Sequence, residues 1–231
     1  MKKYSYVGSE LELFRAAKNW KQYYYKMLRP YLGSEVLEVG AGMGSTTQVL
    51  CQQPHRRWVC LEPDPNLISL LNQEANLPNV CEIRQGFLTD LSTDDYFDSI
   101  LYIDVLEHIE DDQAEIYRAA SRLKPGGVLI VLSPAHQWLF SPFDQAIGHY
   151  RRYNRSMLRH LTVSDLKIVS LKYLDSVGLI ASLSNRWLKQ KMPTQGQIQL
   201  WDTLMVPLSR VFDPILQYAI GKSIIAVWRK E

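Results

Sequence analysis

The strongest constraint on the fold is a glycine at every second position of one short stretch: Gly40, Gly42 and Gly44. These glycines follow an apolar run at residues 36–39, which is typical of a buried parallel strand. Ser45 and Thr46 come next and can begin a helix. A strand that turns through glycines into a helix exposes backbone N–H groups and lets a ligand approach the main chain closely. The stretch therefore predicts a site for a nucleotide-type cofactor.

Length and composition favour one globular domain. The 231 residues are 46% hydrophobic, enough for a large core, and the formal net charge of +2 gives no argument for a nucleic-acid partner. The three cysteines lack metal-type spacing, which indicates reduced thiols in a reducing compartment. No signal peptide is evident, and the apolar residues 200–220 are interrupted by charges and prolines. We therefore expect a cytoplasmic protein without a transmembrane segment.

Strand-like apolar runs alternate with helical patterns through the first half of the chain. The predicted strands are residues 36–39, 58–62, 80–84, 97–103 and 128–132, followed by 166–175 and 223–228. Such alternation implies right-handed βαβ units and a largely parallel sheet with both faces covered. The sequence thus predicts an α/β fold.

The chain is predicted to form a single domain, residues 1–231, with four parts. They are an N-terminal helical cap (1–34), a core (35–177), a helical insert (178–220) and a last strand (221–231). The cap contains one amphipathic helix at residues 9–29. The insert carries an apolar stripe that covers a site, forms a dimer interface or simply packs: Leu200, Leu204, Leu208, Val211 and Ile215.

Acidic residues accompany the glycines at the ends of the predicted strands. Glu62 ends the second strand, 22 residues after Gly40, where a carboxylate can accept hydrogen bonds from ribose hydroxyls. Gly86 and Asp104 end the third and fourth strands, on the edge where open α/β sheets bind ligands. The glycine spacing is G-x-G-x-G and differs from the dinucleotide pattern G-x-G-x-x-G.

With these residues in place, the sequence resembles the class I S-adenosylmethionine (SAM)-dependent methyltransferases. Five motifs over residues 35–133 carry the resemblance: VLEVGAGMG at 36–44, LE at 61–62, QGFLTDL at 85–91, FDSILYIDVLEH at 97–108 and LKPGG at 123–127. The resemblance implies a Rossmann-like seven-stranded sheet of order 3-2-1-4-5-7-6 with the last strand antiparallel. It also implies SAM as the cofactor and S-adenosylhomocysteine as its product.

The resemblance also assigns roles around the cofactor. Glu38 would lie near the amino group of SAM, the three glycines under its methionine and ribose, and Glu62 at the ribose diol. The remaining cofactor contacts would come from Gly86, Phe87, Leu88, Asp104 and Val105. Phe87 departs from the acid that the family commonly has there, so apolar contact and backbone N–H groups would recognise adenine. His108 is expected to order its loop.

The densest polar chemistry lies after the fifth strand, beside the expected position of the methyl group. His136 and His149 are candidate general bases because imidazole titrates near neutral pH, and Asp144 could orient one of them. Arg151, Arg152 and Tyr153 are candidate contacts to an anionic acceptor, or a loop held by its own hydrogen bonds. His136, Asp144 and His149 lack a recognised ligand spacing, so no metal site is predicted.

The predicted function is methyl transfer from SAM to a small or carrier-bound acceptor, at a hydroxyl of a sugar, glycolipid or other metabolite. The sugar follows from resemblance to a bacterial subgroup (methyltransferase type 11/12) found near glycosyltransferases of surface-polysaccharide synthesis. Alternatives are an N-methyltransferase for an amine or peptide, an NAD-dependent oxidoreductase and a non-catalytic SAM-binding module. A homodimer and peripheral membrane contact also remain open.

Overall fold

The structure is a computed structural model that describes Tyr6 and residues 10–74, 76–188 and 192–231, the side chains of 184–188 excepted. Parts of the predicted cap (1–5 and 7–9) and of the predicted insert (189–191) lie outside the described residues. No helix in the described part of the chain is long and apolar enough to cross a membrane.

The centre of the fold is a seven-stranded sheet in the order β3-β2-β1-β4-β5-β7-β6. The strands β1 to β5 pair in parallel, and β7 runs antiparallel to both β5 and β6. This is the predicted order, which is thereby confirmed. The strands are β1 (Glu35–Val39), β2 (Arg57–Glu62), β3 (Cys81–Gln85), β4 (Phe97–Ile103), β5 (Leu123–Pro134), β6 (Leu166–Leu174) and β7 (Ser223–Lys230).

Helices cover both faces of the sheet, because successive side chains of the buried strands point to opposite sides. In β1, Leu37 and Val39 pack into one core while Val36 packs into the other beside Trp58. The helices are α1 (Glu10–Arg15), α2 (Lys18–Leu28), α3 (Thr47–Leu50), α4 (Pro65–Asn72), α5 (Asp112–Ser121), α6 (Pro142–Ala146), α7 (Arg155–His160), α8 (Gly178–Leu188), α9 (Gln195–Leu200) and α10 (Val206–Ile215).

The single N-terminal helix expected at residues 9–29 is divided into α1 and α2. The break falls at Ala17, whose backbone has left the helical region (φ −75°, ψ 68°). A carboxylate from the insert stabilises the second start: Asp202 accepts the N–H groups of Asn19 at 3.1 Å and Trp20 at 2.9 Å. Because this cap is a tertiary contact, local periodicity could not reveal the break.

The insert is anchored through buried carboxylates. Asp213 is fully buried and accepts hydrogen bonds from Tyr23 Oη at 2.8 Å and from the backbone N–H of Asp175 at 2.6 Å. Asp175 is fully buried as well and accepts from Trp201 Nε1 at 2.7 Å and Ser209 Oγ at 2.6 Å. These bonds join α10, α2 and the end of β6 into one unit.

The two faces of the insert have opposite environments. Ile198, Trp201 and Val206 are buried against the second core, while a five-residue π-helical turn, Trp201–Met205, links α9 to α10. The predicted apolar stripe lies on the other face and is exposed to solvent: Leu200, Leu204, Leu208, Val211 and Ile215. The insert therefore packs on the second core with residues other than the stripe.

Candidate active site

The glycine turn after β1 adopts a backbone that other residues resist. Gly40, Gly42 and Gly44 all have positive φ, at 69°, 57° and 80°. A Cβ on Gly40 would lie 2.6 Å from Val105 Cγ2, so the close approach of the two loops requires glycine there. Among the described residues, a Cβ on Gly42 would come within 4 Å of Leu11 Cδ1 alone, at 3.8 Å, and would project into open space.

That open space belongs to a cavity of about 480 Å³ at the carboxyl edge of the sheet. The glycine turn forms one side, Asp104 and Glu107 come from the end of β4, and Trp201 and Met205 come from the insert. Further aromatic side chains from the cap and from α6 line the cavity: Phe14, Trp20, Tyr24 and Phe143. Segments that are distant in sequence thus enclose one space.

Glu62 lies beside the glycine turn, at the end of β2. Its two carboxylate oxygens each accept one backbone N–H, from Gly42 at 2.9 Å and from Asp64 at 2.9 Å. Burial raises the pKa of this carboxyl group. Each oxygen keeps a further lone pair for a ligand hydroxyl. Glu62 itself does not line the 480 Å³ cavity, but it lies directly beside Gly42, which does, and a carboxylate in this place fits a nucleoside-bearing cofactor such as SAM.

Glu38 lies behind the glycine turn and outside the cavity lining. Its Oε2 accepts from Thr47 Oγ1 at 2.7 Å and from Trp58 Nε1 at 2.9 Å. Burial raises the pKa of Glu38 to about 7. The carboxyl group thus ties the start of α3 to β1 and β2, whereas the resemblance placed it near the amino group of the cofactor.

The residues expected around adenine lie on the same edge, at the end of β3. Gly86 has φ 145° and its N–H donates to Glu62 O at 3.1 Å, which sets the two strand ends side by side. Phe87 is half-exposed, and Leu88 points into the core. None of the three lines the 480 Å³ cavity.

Asp104 forms the floor of the cavity in a left-handed backbone conformation, φ 54°. Its carboxylate is accessible to the cavity but enclosed by protein, and this burial raises its pKa to about 6 against the opposing charges of His149, Lys222 and Lys21. Both lysines line the cavity, and burial lowers the pKa of Lys21 to about 8. Sequence reasoning missed the two lysines because they lie on the cap and before β7, far from any motif.

Three titratable side chains meet on the acceptor side of the cavity: Glu107, His108 and His149. Their ligand-type atoms lie within 4.8 Å of one another, and all three residues line the cavity. His149 Nε2 is 3.8 Å from Glu107 Oε1, and the two imidazole ring centroids are 4.5 Å apart. We call this group the Glu107–His108–His149 cluster. Burial raises the pKa of Glu107 to about 8 and lowers that of His108 to about 3.

Asp144 contacts His149 of the cluster on the side away from Glu107. Its Oδ1 lies 3.0 Å from His149 Nδ1, and its two oxygens accept from Arg152 Nε at 2.8 Å and Nη2 at 3.0 Å. Burial opposes the charge, yet the bonds from His149 and Arg152 lower the pKa of Asp144 to about 2. Although burial acts against it, this bond and the charge of Glu107 raise the pKa of His149.

The structure does not bring the other candidate residues of this segment into the cavity. The N–H of His136 donates to Tyr153 O at 2.7 Å, and its ring stacks on Tyr173 with centroids 4.7 Å apart. Tyr153 is fully buried and its hydroxyl donates to Asp112 Oδ2 at 2.8 Å. Arg151 pairs with the same aspartate at 2.6 Å. The expected anion site at Arg151 and Tyr153 is therefore not assembled, because an acid on α5 satisfies both.

Comparisons with known proteins agree with this geometry. Residues 37–131 match the family model described as a methyltransferase domain. The demethylmenaquinone methyltransferase of Tropheryma whipplei (strain Twist) is 30% identical over 150 residues, which are 62% of this chain and 57% of that protein. The ubiquinone biosynthesis O-methyltransferase of Azorhizobium caulinodans is 30% identical over 108 residues, 46% of this chain and 42% of that protein. The chain thus spans about half the length of these curated relatives.

Among solved structures, coclaurine N-methyltransferase bound to N-methylheliamine and S-adenosylhomocysteine superposes with a TM-score of 0.63. The match covers 93% of this chain and 73% of that one at 14% identity, so it concerns the fold alone. The sheet order is that of the Rossmann-like methyltransferase fold, and the glycine turn and the cavity lie at its carboxyl edge. By its methyltransferase domain and these relatives, the chain is similar to the class I SAM-dependent methyltransferases, and the comparisons support SAM as its cofactor.

Proposed function

We propose that this protein transfers the methyl group of SAM to a hydroxyl group of a small or carrier-bound acceptor. One observation carries the proposal: a single cavity of about 480 Å³ is lined both by the glycine turn and by the Glu107–His108–His149 cluster. Donor and acceptor would therefore meet in one enclosed space, away from bulk water.

When bound, SAM supplies a methyl group on a positively charged sulfur. The glycine turn, Glu62 and Asp104 would hold it, and the cap and the insert would exclude water from the reaction. A hydroxyl acceptor loses its proton as its oxygen attacks, so a nearby proton acceptor is required. Asp104 lines the cavity and has a pKa of about 6, so it is ionised above that pH and supplies such a group.

The acceptor we favour is a hydroxylated ring with an apolar body. Aromatic and apolar side chains form much of the cavity wall, among them Phe14, Trp20, Phe143 and Trp201. By their names, one relative methylates demethylmenaquinone and another is an O-methyltransferase of ubiquinone biosynthesis. Both features favour such a ring over the sugar or glycolipid hydroxyl expected from the sequence. We also propose that the cap and the insert select the acceptor, while the core binds SAM.

The proposal is tested by calorimetric titration with SAM and with NAD, followed by assay of S-adenosylhomocysteine formation. The acceptor panel contains catechols, hydroquinones, sugars and amines of matched size. We expect SAM to bind, NAD not to bind, and turnover with hydroxylated rings. NAD binding without SAM binding would refute the proposal. Turnover with amines alone would show that the acceptor atom is nitrogen and not a hydroxyl oxygen.

A further inference from the structure

We propose that Glu107, His108 and His149 bind a divalent transition-metal ion on the acceptor side of the cavity. Two imidazoles and one carboxylate form a ligand set that suits Zn²⁺, Fe²⁺ or Mn²⁺ and leaves coordination positions open. The three ligand atoms already lie within 4.8 Å of one another. The role given to the ion rests on the proposed function, whereas its binding does not.

The distances suit a metal after small side-chain rotations. In a tetrahedral site with bonds of 2.0–2.2 Å, neighbouring ligand atoms are about 3.4 Å apart. Glu107 Oε1 and His149 Nε2 lie 3.8 Å apart, close to that separation but beyond the reach of a hydrogen bond. The pair is therefore spaced to share an ion better than to bond directly.

An unsatisfied oxygen gives a second, independent indication. Glu107 is fully buried, and its Oε2 accepts a hydrogen bond from Ser133 Oγ at 2.9 Å. Its Oε1 has no hydrogen-bond partner in the described part of the chain and points toward His149. A buried carboxylate oxygen without a partner has lost the hydrogen bonds of water, which costs free energy. The arrangement is therefore typical of a cation site without its cation.

Neighbouring groups hold both imidazoles by hydrogen bonds, as is usual for histidines that bind metal ions. Asp144 engages His149 Nδ1, which turns Nε2 toward Glu107, and Arg152 fixes Asp144 through two bonds. His108 forms a hydrogen bond with the backbone of Gly148, which leaves its other ring nitrogen for the cavity. A carboxylate behind a ligating histidine sets the tautomer and raises the affinity for metal.

In the reaction, the ion would hold the acceptor hydroxyl at an open coordination position and favour loss of its proton to Asp104, which lines the cavity and is not one of the three ligands. The resulting oxygen anion attacks the methyl carbon of SAM, so an O–C bond forms as the C–S bond breaks. The electron pair of that bond stays on sulfur and gives neutral S-adenosylhomocysteine. The transfer involves no oxidation or reduction. The open positions face the cavity that the glycine turn also lines.

Metal binding is measured on the full chain after treatment with a chelator, by titrating Co²⁺ with visible absorption and Zn²⁺ with calorimetry. We expect one ion per chain. Glu107→Gln and His149→Asn should each weaken binding at least about 100-fold, and Asp144→Asn about 10- to 100-fold. His160→Asn is the matched control, because this histidine is exposed on α7, and it should leave the affinity unchanged.

The variants are also followed by circular dichroism and thermal melting, with and without Zn²⁺. Glu107→Gln can keep the Ser133 bond, so we expect it to fold and to lose the stabilisation by Zn²⁺ that the wild type shows. Absence of a 1:1 complex in the wild type, or equal affinity in the folded ligand variants, would overturn the proposal. Titration of SAM into the metal-free protein separates the two proposals, because SAM binding should persist without the metal. If the metal-loaded wild type did not bind SAM, the methyltransferase function would be refuted and the metal site would stand.

Discussion

Gly42 combines a left-handed backbone conformation with an open face toward the cavity. Its φ is 57°, and the space that its Cβ would enter belongs to the cavity. Gly42→Ala should fold with a loss of about 1 kcal/mol from the left-handed backbone. It should also weaken SAM at least about 10-fold, and Gly42→Val should abolish binding. Calorimetric titration with SAM measures both effects.

Gly126 offers the matched control for this test. It has φ 75°, no atom of the described residues lies within 4 Å of its Cβ position, and it does not line the cavity. Gly126→Ala therefore carries the same backbone strain without any steric effect at the site. Equal loss of SAM affinity in the two alanine variants would show that strain, and not occupation of the cavity, is responsible.

Glu38 makes stability depend on pH. Its pKa rises from 4.5 in the unfolded chain to about 7 in the fold, so the fold prefers the protonated form. The stabilisation by the protonated Glu38 carboxyl group is fully present below pH 4.5 and is lost as the pH rises through 7. Between these limits its contribution to the free energy of unfolding changes by about 3 kcal/mol. Relative to wild type, Glu38→Gln should therefore gain stability between pH 4.5 and pH 8.

Urea unfolding at several pH values measures this gain, and the exposed Glu12→Gln serves as the control. We expect the control to follow the wild type throughout the range. A constant difference between Glu38→Gln and the wild type at every pH would contradict the burial of a protonated carboxyl group behind the glycine turn.

At the scale of the elements, Asp213 joins α10 to α2 and to the end of β6. Its carboxylate accepts from Tyr23 Oη and from the backbone of Asp175 and Ser176. Asp213→Ala leaves these buried donors without a partner, and each lost partner costs about 1–3 kcal/mol. We expect a total loss of at least about 3 kcal/mol in urea unfolding.

The exposed Asp94→Ala is the control for this substitution and should change stability by less than about 0.5 kcal/mol. A near-neutral Asp213→Ala would mean that the insert is held by its apolar contacts alone. In that case Trp201 and Val206, which pack against the second core, would be the residues to substitute next.

The elements show which parts of the fold the sequence predicts. Strands such as β1 and β4 are apolar runs buried on both faces, so composition over five to seven residues predicts them. The break between α1 and α2 was missed because its cap, Asp202, lies 182 residues beyond Trp20. Local patterns record burial well, but they cannot record which distant carboxylate reaches a helix start.

At the scale of the whole molecule, cofactor binding should stabilise the entire chain, because the cavity draws on cap, core and insert. At 100 times its dissociation constant, SAM adds about 2.7 kcal/mol to the free energy of unfolding. For a chain of this length, that corresponds to about 5–10 °C in melting temperature. Thermal melting with SAM and S-adenosylhomocysteine checks this, and Gly42→Val is the control that should not respond. An unchanged melting temperature at saturating SAM would contradict SAM binding to the folded chain.

The candidate site was only partly predictable for the same spatial reason. The glycine turn, Glu62 and Asp104 follow from motifs at strand ends, which meet at one edge in any parallel sheet. His136 and His149 look equivalent in sequence, but the ring of His136 stacks on Tyr173 and does not line the cavity. The pairing of His149 with Glu107 depends on how the segment after β5 folds back over the end of β4, which no spacing encodes.

The insert enters and leaves the sheet at neighbouring points. Leu174, the last residue of β6, pairs with Ser223, the first residue of β7, and Lys222 N–H donates to Asp175 O at 3.2 Å. Everything between these joints is therefore a long hairpin connection, and its replacement alters no other strand pairing. A single contiguous exchange of coding sequence could thus alter acceptor choice while leaving the SAM-binding half intact. If the insert selects the acceptor as proposed, related chains could differ in acceptor through this one segment and still share the same SAM site.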